Sequence, residues 1–94
     1  MHELSLIRDL LAKIDSVVRA HGGTRAVSVD VWLGALSHLS PERFSDHFVT
    51  WSAGTTAEGA WLDLEQSDDP DHPHAQSILL RHVEVALPDS SEPP

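Results

Sequence analysis

Between Arg25 and Gly34 the chain reads RAVSVDVWLG, and no other stretch limits its fold as much. Apolar and polar residues alternate strictly there. Val27, Val29, Val31 and Leu33 fall on one face, and Ser28, Asp30 and Trp32 on the other. That pattern predicts a half-buried strand, and both flanks carry a helical period instead. From Leu4 to about Ala20 the apolar residues Leu4, Ile7, Leu10, Leu11, Ile14, Val17 and Val18 recur in steps of three and four. His21, Gly22 and Gly23 end that helix, glycine supplying the left-handed stop and His21 a favourable charge at the C-terminal end when protonated. Ser40 is a good N-cap and Pro41 suits the first helical position. Phe44, Phe48 and Trp51 then mark the inner stripe of a second helix, which runs to about Ser52 and is closed by Gly54.

Two further strands follow. TTAEGAWLDLEQ reads as a turn and a strand with Leu62 and Leu64 facing in and Trp61, Asp63 and Glu65 facing out. SDDPDHPHAQS has two prolines, three acidic residues and no apolar period, so it is a loop. ILLRHVEVAL is a third strand whose alternation slips near Arg81 and His82, which predicts a β-bulge. The expected fold is α+β in the order α-β-α-β-β. Two helices pack on one face of a three-stranded sheet, and the last two strands form an antiparallel hairpin. One domain spans residues 1–87, with a polar loop over 67–77, and residues 88–94 form a disordered tail.

Composition narrows the function. Fifteen acids against six bases give a formal net charge of −9, which argues against a nucleic-acid partner and permits a cationic or metal one. With no cysteine the chain has no thiolate nucleophile and no cysteine zinc site. The start lacks a basic segment followed by a continuous apolar one, and no apolar run approaches a membrane span, so a cytoplasmic location with no membrane association is expected. No glycine-rich phosphate loop or paired catalytic carboxylates are visible, so catalysis is not expected.

The seven histidines include one at position 2. A terminal amine on Met1, the backbone nitrogen of His2 and its imidazole can close two fused chelate rings on one metal. A deprotonated amide is a strong in-plane donor, which suits the square-planar preference of Ni(II) or Cu(II). The bulk of His2 should also hinder removal of Met1. The opposing reading is a solvated histidine ahead of a helix, and the dipeptide alone does not separate the two.

Several segments together carry a resemblance. MHELSL, the helix ending in HGG, VSVDVWLGALSHLSPERFSDHF and AGTTAEGAWLDLE resemble the HypA/HybF family of nickel metallochaperones over residues 1–66, and LLRHVEVAL resembles that family's closing strand. The resemblance implies a nickel site built from Met1, His2 and the backbone of Glu3, with transient nickel as the cargo. Some family members add a side chain after the first strand, and there this chain offers His38. It implies service in maturation of a [NiFe]-hydrogenase or another nickel enzyme, with a hydrogenase large subunit or a maturation GTPase as partner. The chain departs from the family in one large respect. Its members insert a zinc-binding module with two CxxC-type pairs between the second and third strands, where this chain has SDDPDHPH and no cysteine. No zinc is therefore expected.

The remaining features are weaker. Asp69, Asp71, His72 and His74 include metal-binding residue types, but the loop's prolines and lack of a helical face favour a solvated connector. His47 reads as a boundary histidine between Phe44 and Phe48, and His82 as a strand residue with no assigned role. Trp32 and Trp61 point away from the aliphatic face, and Ile78 and Leu80 would join them across the bulge. Such a patch on an acidic protein predicts an interface, with a second copy or with a maturation partner. Two functions compete: a nickel-delivering accessory protein using Met1 and His2, and a metal-independent adaptor using the tryptophan face.

Overall fold

Helix α1 (Glu3–Ala20) is held by a single apolar stripe, because Ile7, Leu10, Ile14 and Val18 are all buried while Leu4 stays exposed. The computed structural model describes residues 3–37 and 39–88, with Glu3 by its backbone alone. The helix stops as its sequence requires. Gly22 adopts φ +68°, and the amides of Gly22 and Gly23 donate to the carbonyls of Arg19 and Val18 at 3.1 and 2.9 Å. His21 Nδ1 reaches the Val17 carbonyl at 2.9 Å, sharing that acceptor with the His21 amide at 3.2 Å. Gly23 is needed for a different reason: a Cβ there would run into Val85 Cγ1 and the Ala86 carbonyl.

Strand β1 (Arg25–Leu33) is the centre of the molecule. The sheet order is β2-β1-β3, where β2 is Trp61–Gln66 and β3 is Ile78–Ala86. β2 runs parallel to β1 and β3 antiparallel. The connection from β1 to β2 passes through α2 (Pro41–Ser52), the usual way to join parallel neighbours. Ser40 caps α2 by accepting from the Arg43 amide at 3.1 Å, with Pro41 in the first turn. Both helices cover the same face, since α1 packs against α2, β1 and β3, and α2 against β2. The core is built from the α1 stripe, Ala26, Val29, Val31 and Leu33 of β1, and Phe44 and Phe48 of α2, with Leu62, Leu64, Ile78, Leu80, Val83 and Val85 packed against it.

The α+β architecture and element order match the expectation, and five details differ. The expected β2–β3 hairpin does not form: β1 lies between the two strands and pairs with both. An antiparallel direction does not require adjacency, and the loop is long enough to cross the end of β1. In β1 the buried residue is Ala26 and not Val27, because the pairing with β3 shifts between Ala26 and Ser28 and leaves Val27 as an extra residue. The bulge expected near Arg81 is present, as the register shifts again between Asp30–His82 and Val31–Leu80. Its effect is the reverse of that expected: it returns Ile78 and Leu80 to the core face beside Val83 and Val85. On α2 the stripe continues to Ser52, which is buried, while Trp51 is exposed.

The fifth difference concerns loop 67–77. It is ordered by its own backbone and tied to the end of β1, rather than only solvated. The Gly34 amide donates to the Ser77 carbonyl, the Leu36 amide to the Ala75 carbonyl and the Ser67 amide to the Leu33 carbonyl, at 2.7–2.9 Å. Ala75 is buried. His72 lies over Trp32 with ring centroids 4.7 Å apart, so Trp32 points outward as expected but is only 7% exposed.

Candidate metal centre

Among the described residues, the first turns of α1 and the segment that leaves β1 lie at one end of the sheet. α1 runs back along β1, so its first turns lie beside the end of that strand. Leu6, Asp9 and Leu10 share a cleft with Ser77 and Ile78, at the junction of loop 67–77 and β3. Ile78 in turn pairs with Leu33, the last residue of β1.

The segment after β1 leaves from this same end and is held on two sides. Leu36 donates its amide to Ala75, and Gln66 Nε2 donates to the Leu39 carbonyl at 3.3 Å. The Ser37 hydroxyl donates to the Gly34 carbonyl at 2.7 Å. Gly34 lies so close to loop 67–77 that a Cβ would meet the carbonyl group of Ala75. Leu36 also shares a shallow depression with Pro70, His72, Pro73, Ala75, Gln76 and Ser77.

Of the residues expected to bind metal, Met1, His2 and His38 lie outside the described residues, and Glu3 enters only as the first backbone unit of α1. The described neighbours of His38, Ser37 and Leu39, are the two anchored as above. Among the described residues no three histidine or carboxylate side chains gather into a group able to hold a metal. In the loop, His72 Nδ1 accepts the His74 amide at 2.9 Å, and the Asp69 carboxylate accepts the Asp71 amide at 3.0 Å, so both side chains shape the turn. The imidazoles of His72 and His74 lie with centroids 5.8 Å apart.

Two polar links were not anticipated from the sequence. The Asp15 carboxylate receives Arg19 Nε at 2.7 Å and the Thr56 hydroxyl at 2.8 Å. The Arg19 bond first, and then the Thr56 bond, hold Asp15 below the usual carboxylate pKa, against a smaller opposing effect of desolvation. On the open face of the sheet, Arg81 meets Asp30 at 3.4 Å and Glu65 at 3.0 Å, bridging all three strands. Desolvation works against the charge on Arg81, and the two carboxylates outweigh it, so its pKa lies above the usual value.

Residues 1–69 match a family described as hydrogenase/urease nickel incorporation, metallochaperone, HypA. The chain belongs to the HypA family. Among curated relatives, the hydrogenase maturation factor HypA of Methanosarcina mazei is 38% identical over 65 residues, which is 69% of this chain and 47% of that protein. HypA of Solidesulfovibrio magneticus is 32% identical over 94 residues, covering 100% of this chain and 73% of that one. The chain thus spans about half the length of the first of these HypA relatives. The fold agrees: the solution structure of the Ni metallochaperone HypA from Helicobacter pylori superposes with a TM-score of 0.78 at 16% identity, over 94% of this chain and 100% of that one. The HypA family match ends at residue 69, just inside the loop that crosses the end of β1.

Proposed function

We propose that this chain carries nickel as cargo during maturation of a nickel enzyme, with a [NiFe]-hydrogenase as the leading client. The observation that carries this reading is the reach of the family match, which begins at residue 1 and so includes Met1, His2 and Glu3. A free amine on Met1, the His2 amide nitrogen and the His2 imidazole would supply three nitrogen donors in one plane. The Glu3 backbone would complete a square, and His38 would approach from the segment after β1. The anchoring of Ser37 and Leu39 supports this, since a ligand on a segment fixed on both sides costs less entropy to position.

The chemistry suits transient carriage. The chelate would form from local groups at the very start of the chain, up to the first backbone unit of α1, and would involve none of the core residues, so metal could enter and leave without unfolding the domain. The amide and the amine must both lose protons for nickel to bind, which lets a client that protonates or displaces them take the metal. The hydrogenase large subunit or a maturation GTPase is the proposed recipient, in the cytoplasm. Among the described residues no helix is long and apolar enough to cross a membrane.

Calorimetry and the d–d absorption of square-planar nickel test the reading. Native protein with a free amino terminus should bind about one nickel per chain. His2→Ala and a form extended by two residues before Met1 should both lose the site while keeping their thermal melts. Equal binding by the extended and native forms would refute the chelate.

A further inference from the structure

The open face of the sheet, opposite the helices, is divided into two unequal parts. At one end Trp32 is covered by His72. At the other end Trp61 is 74% exposed, an unusual state for the largest side chain in the alphabet. Ser28 is its partner on β1, and Ser28 donates its hydroxyl to Glu84 of β3 at 3.1 Å. Asp63, two residues along β2, shares the face of Trp61 and is exposed. Asp63 lies opposite Asp30, and Glu65 opposite Trp32. Arg81 is engaged by Asp30 and Glu65, and Asp63 and Glu84 have no basic partner among the described residues. The face around Trp61 is therefore an aromatic plate bordered by carboxylates, two of them without a matching cation among the described residues.

We infer that the Trp61–Asp63 end of the open sheet face docks a partner polypeptide that presents arginine or lysine beside an apolar residue. An indole face attracts a cationic side chain through its quadrupole, and Arg and Lys stems lie flat on such rings. Neighbouring carboxylates then meet the charged head, a pairing that also orients the approach of a basic partner. Charge decides against a second copy of this chain: two such faces would set Asp63 and Glu84 against the same carboxylates, with Arg81 already engaged on each side. The chain's formal net charge of −9 acts in the same direction. This surface is independent of the nickel reading, as it involves neither the amino terminus nor the segment after β1.

The test uses the full chain, isotopically labelled and kept metal-free with chelator. The probe is a synthetic octapeptide alternating arginine and valine, with a glutamate–valine peptide as its counterpart. The three tryptophans are internal reporters, because Trp61 lies on the open face, Trp32 beneath His72, and Trp51 on the outside of α2. The arginine peptide should shift the Trp61 indole signal and the β2 amides, and leave Trp51 unmoved. Trp61→Ala and Asp63→Asn should each weaken binding by about two- to fivefold, as expected for an exposed cation–π contact and an exposed charge pair. Raised salt should weaken it further. Shifts centred on Trp51, equal shifts from the glutamate peptide, or full affinity in Asp63→Asn would overturn the proposal. So would self-association through Trp61 without peptide binding.

Discussion

The Thr56 hydroxyl donates to Asp15 Oδ1 at 2.8 Å, joining the turn before β2 to the fourth turn of α1. The same carboxylate holds Arg19 at 2.7 Å, and the Thr56 carbonyl receives the Ala26 amide at 2.7 Å. One residue of the turn is thus fixed to both α1 and the start of β1. Because Asp15 titrates lower in the folded protein than its ordinary value, its contribution is fully present above the unfolded carboxylate pKa of about 3.9. It is lost as pH falls through the lower folded value. Asp15→Asn should therefore lower the melting temperature at neutral pH and flatten its dependence on pH below about 4. Thermal melts from neutral to acidic pH check this, and a steeper acid dependence in the variant would contradict it.

Nickel affinity should rise with pH through about 7.7–8.0, where a terminal amine gives up its proton. Copper should bind the same three nitrogens more tightly than nickel, following the order of divalent metals at nitrogen sites. Competition titrations at several pH values read both effects. An affinity that does not change across this range would place the metal elsewhere than on the amine.

The protein should fold without zinc. It has no cysteine, and the loop between β2 and β3 is held by backbone hydrogen bonds to Gly34, Leu36 and Leu33. Melting curves with and without a strong chelator should superimpose, with elemental analysis finding no stoichiometric zinc. A chelator-induced loss of cooperative melting would refute this.

Gly34→Ala should destabilise the fold by roughly 1–3 kcal/mol, the usual cost of forcing a group into a packed space. The added Cβ would meet the Ala75 carbonyl group, which is backbone and cannot swing aside. Denaturant melts give the value. If Ser37 and Leu39 lose their anchoring as a result, nickel affinity should fall with stability in this variant.

Replacing Ser40 with alanine should cost about 1 kcal/mol through loss of the α2 cap. Phe44→Ala should cost roughly 3–5 kcal/mol, since the ring is wholly buried. A smaller cost for Phe44 than for Ser40 would mean that the core around α2 is not packed as described.

The parts of the fold that were legible in the sequence are those governed by local rules. Both helices, the Ser40 cap, the HGG stop and the Arg81 bulge each leave a signature within a few residues. Strand neighbours do not. Nothing within WLDLEQ or ILLRHVEVAL states that β1 lies between them, and a polar loop of this length can either turn back or cross over. The second bulge escaped because Ala26 and Val27 are both apolar, so the alternation looks unbroken in either register. The fate of the tryptophans was half legible. Phase alone gives their outward direction, but only the loop's path decides that His72 covers Trp32 while Trp61 stays exposed. For the proposed metal centre, His2 is a candidate from the sequence alone because chelation by a terminal residue is a local property, and it lies outside the described residues. That the described first turns of α1 lie at the same end of the sheet as Gly34, Leu36 and Ser37 follows from chain topology, which no short stretch states.

The crossover of loop 67–77 also sets an order of assembly. β1 can pair with β2 through the short α2 excursion, but its other edge stays open until Ile78–Ala86 arrives from the far end of the chain. Arg25 must find Ala86, a contact between residues far apart in sequence that closes late and slowly. During synthesis the central strand therefore keeps one exposed edge until β3 has left the ribosome. A chain cut short before β3 would keep a sticky strand as its margin.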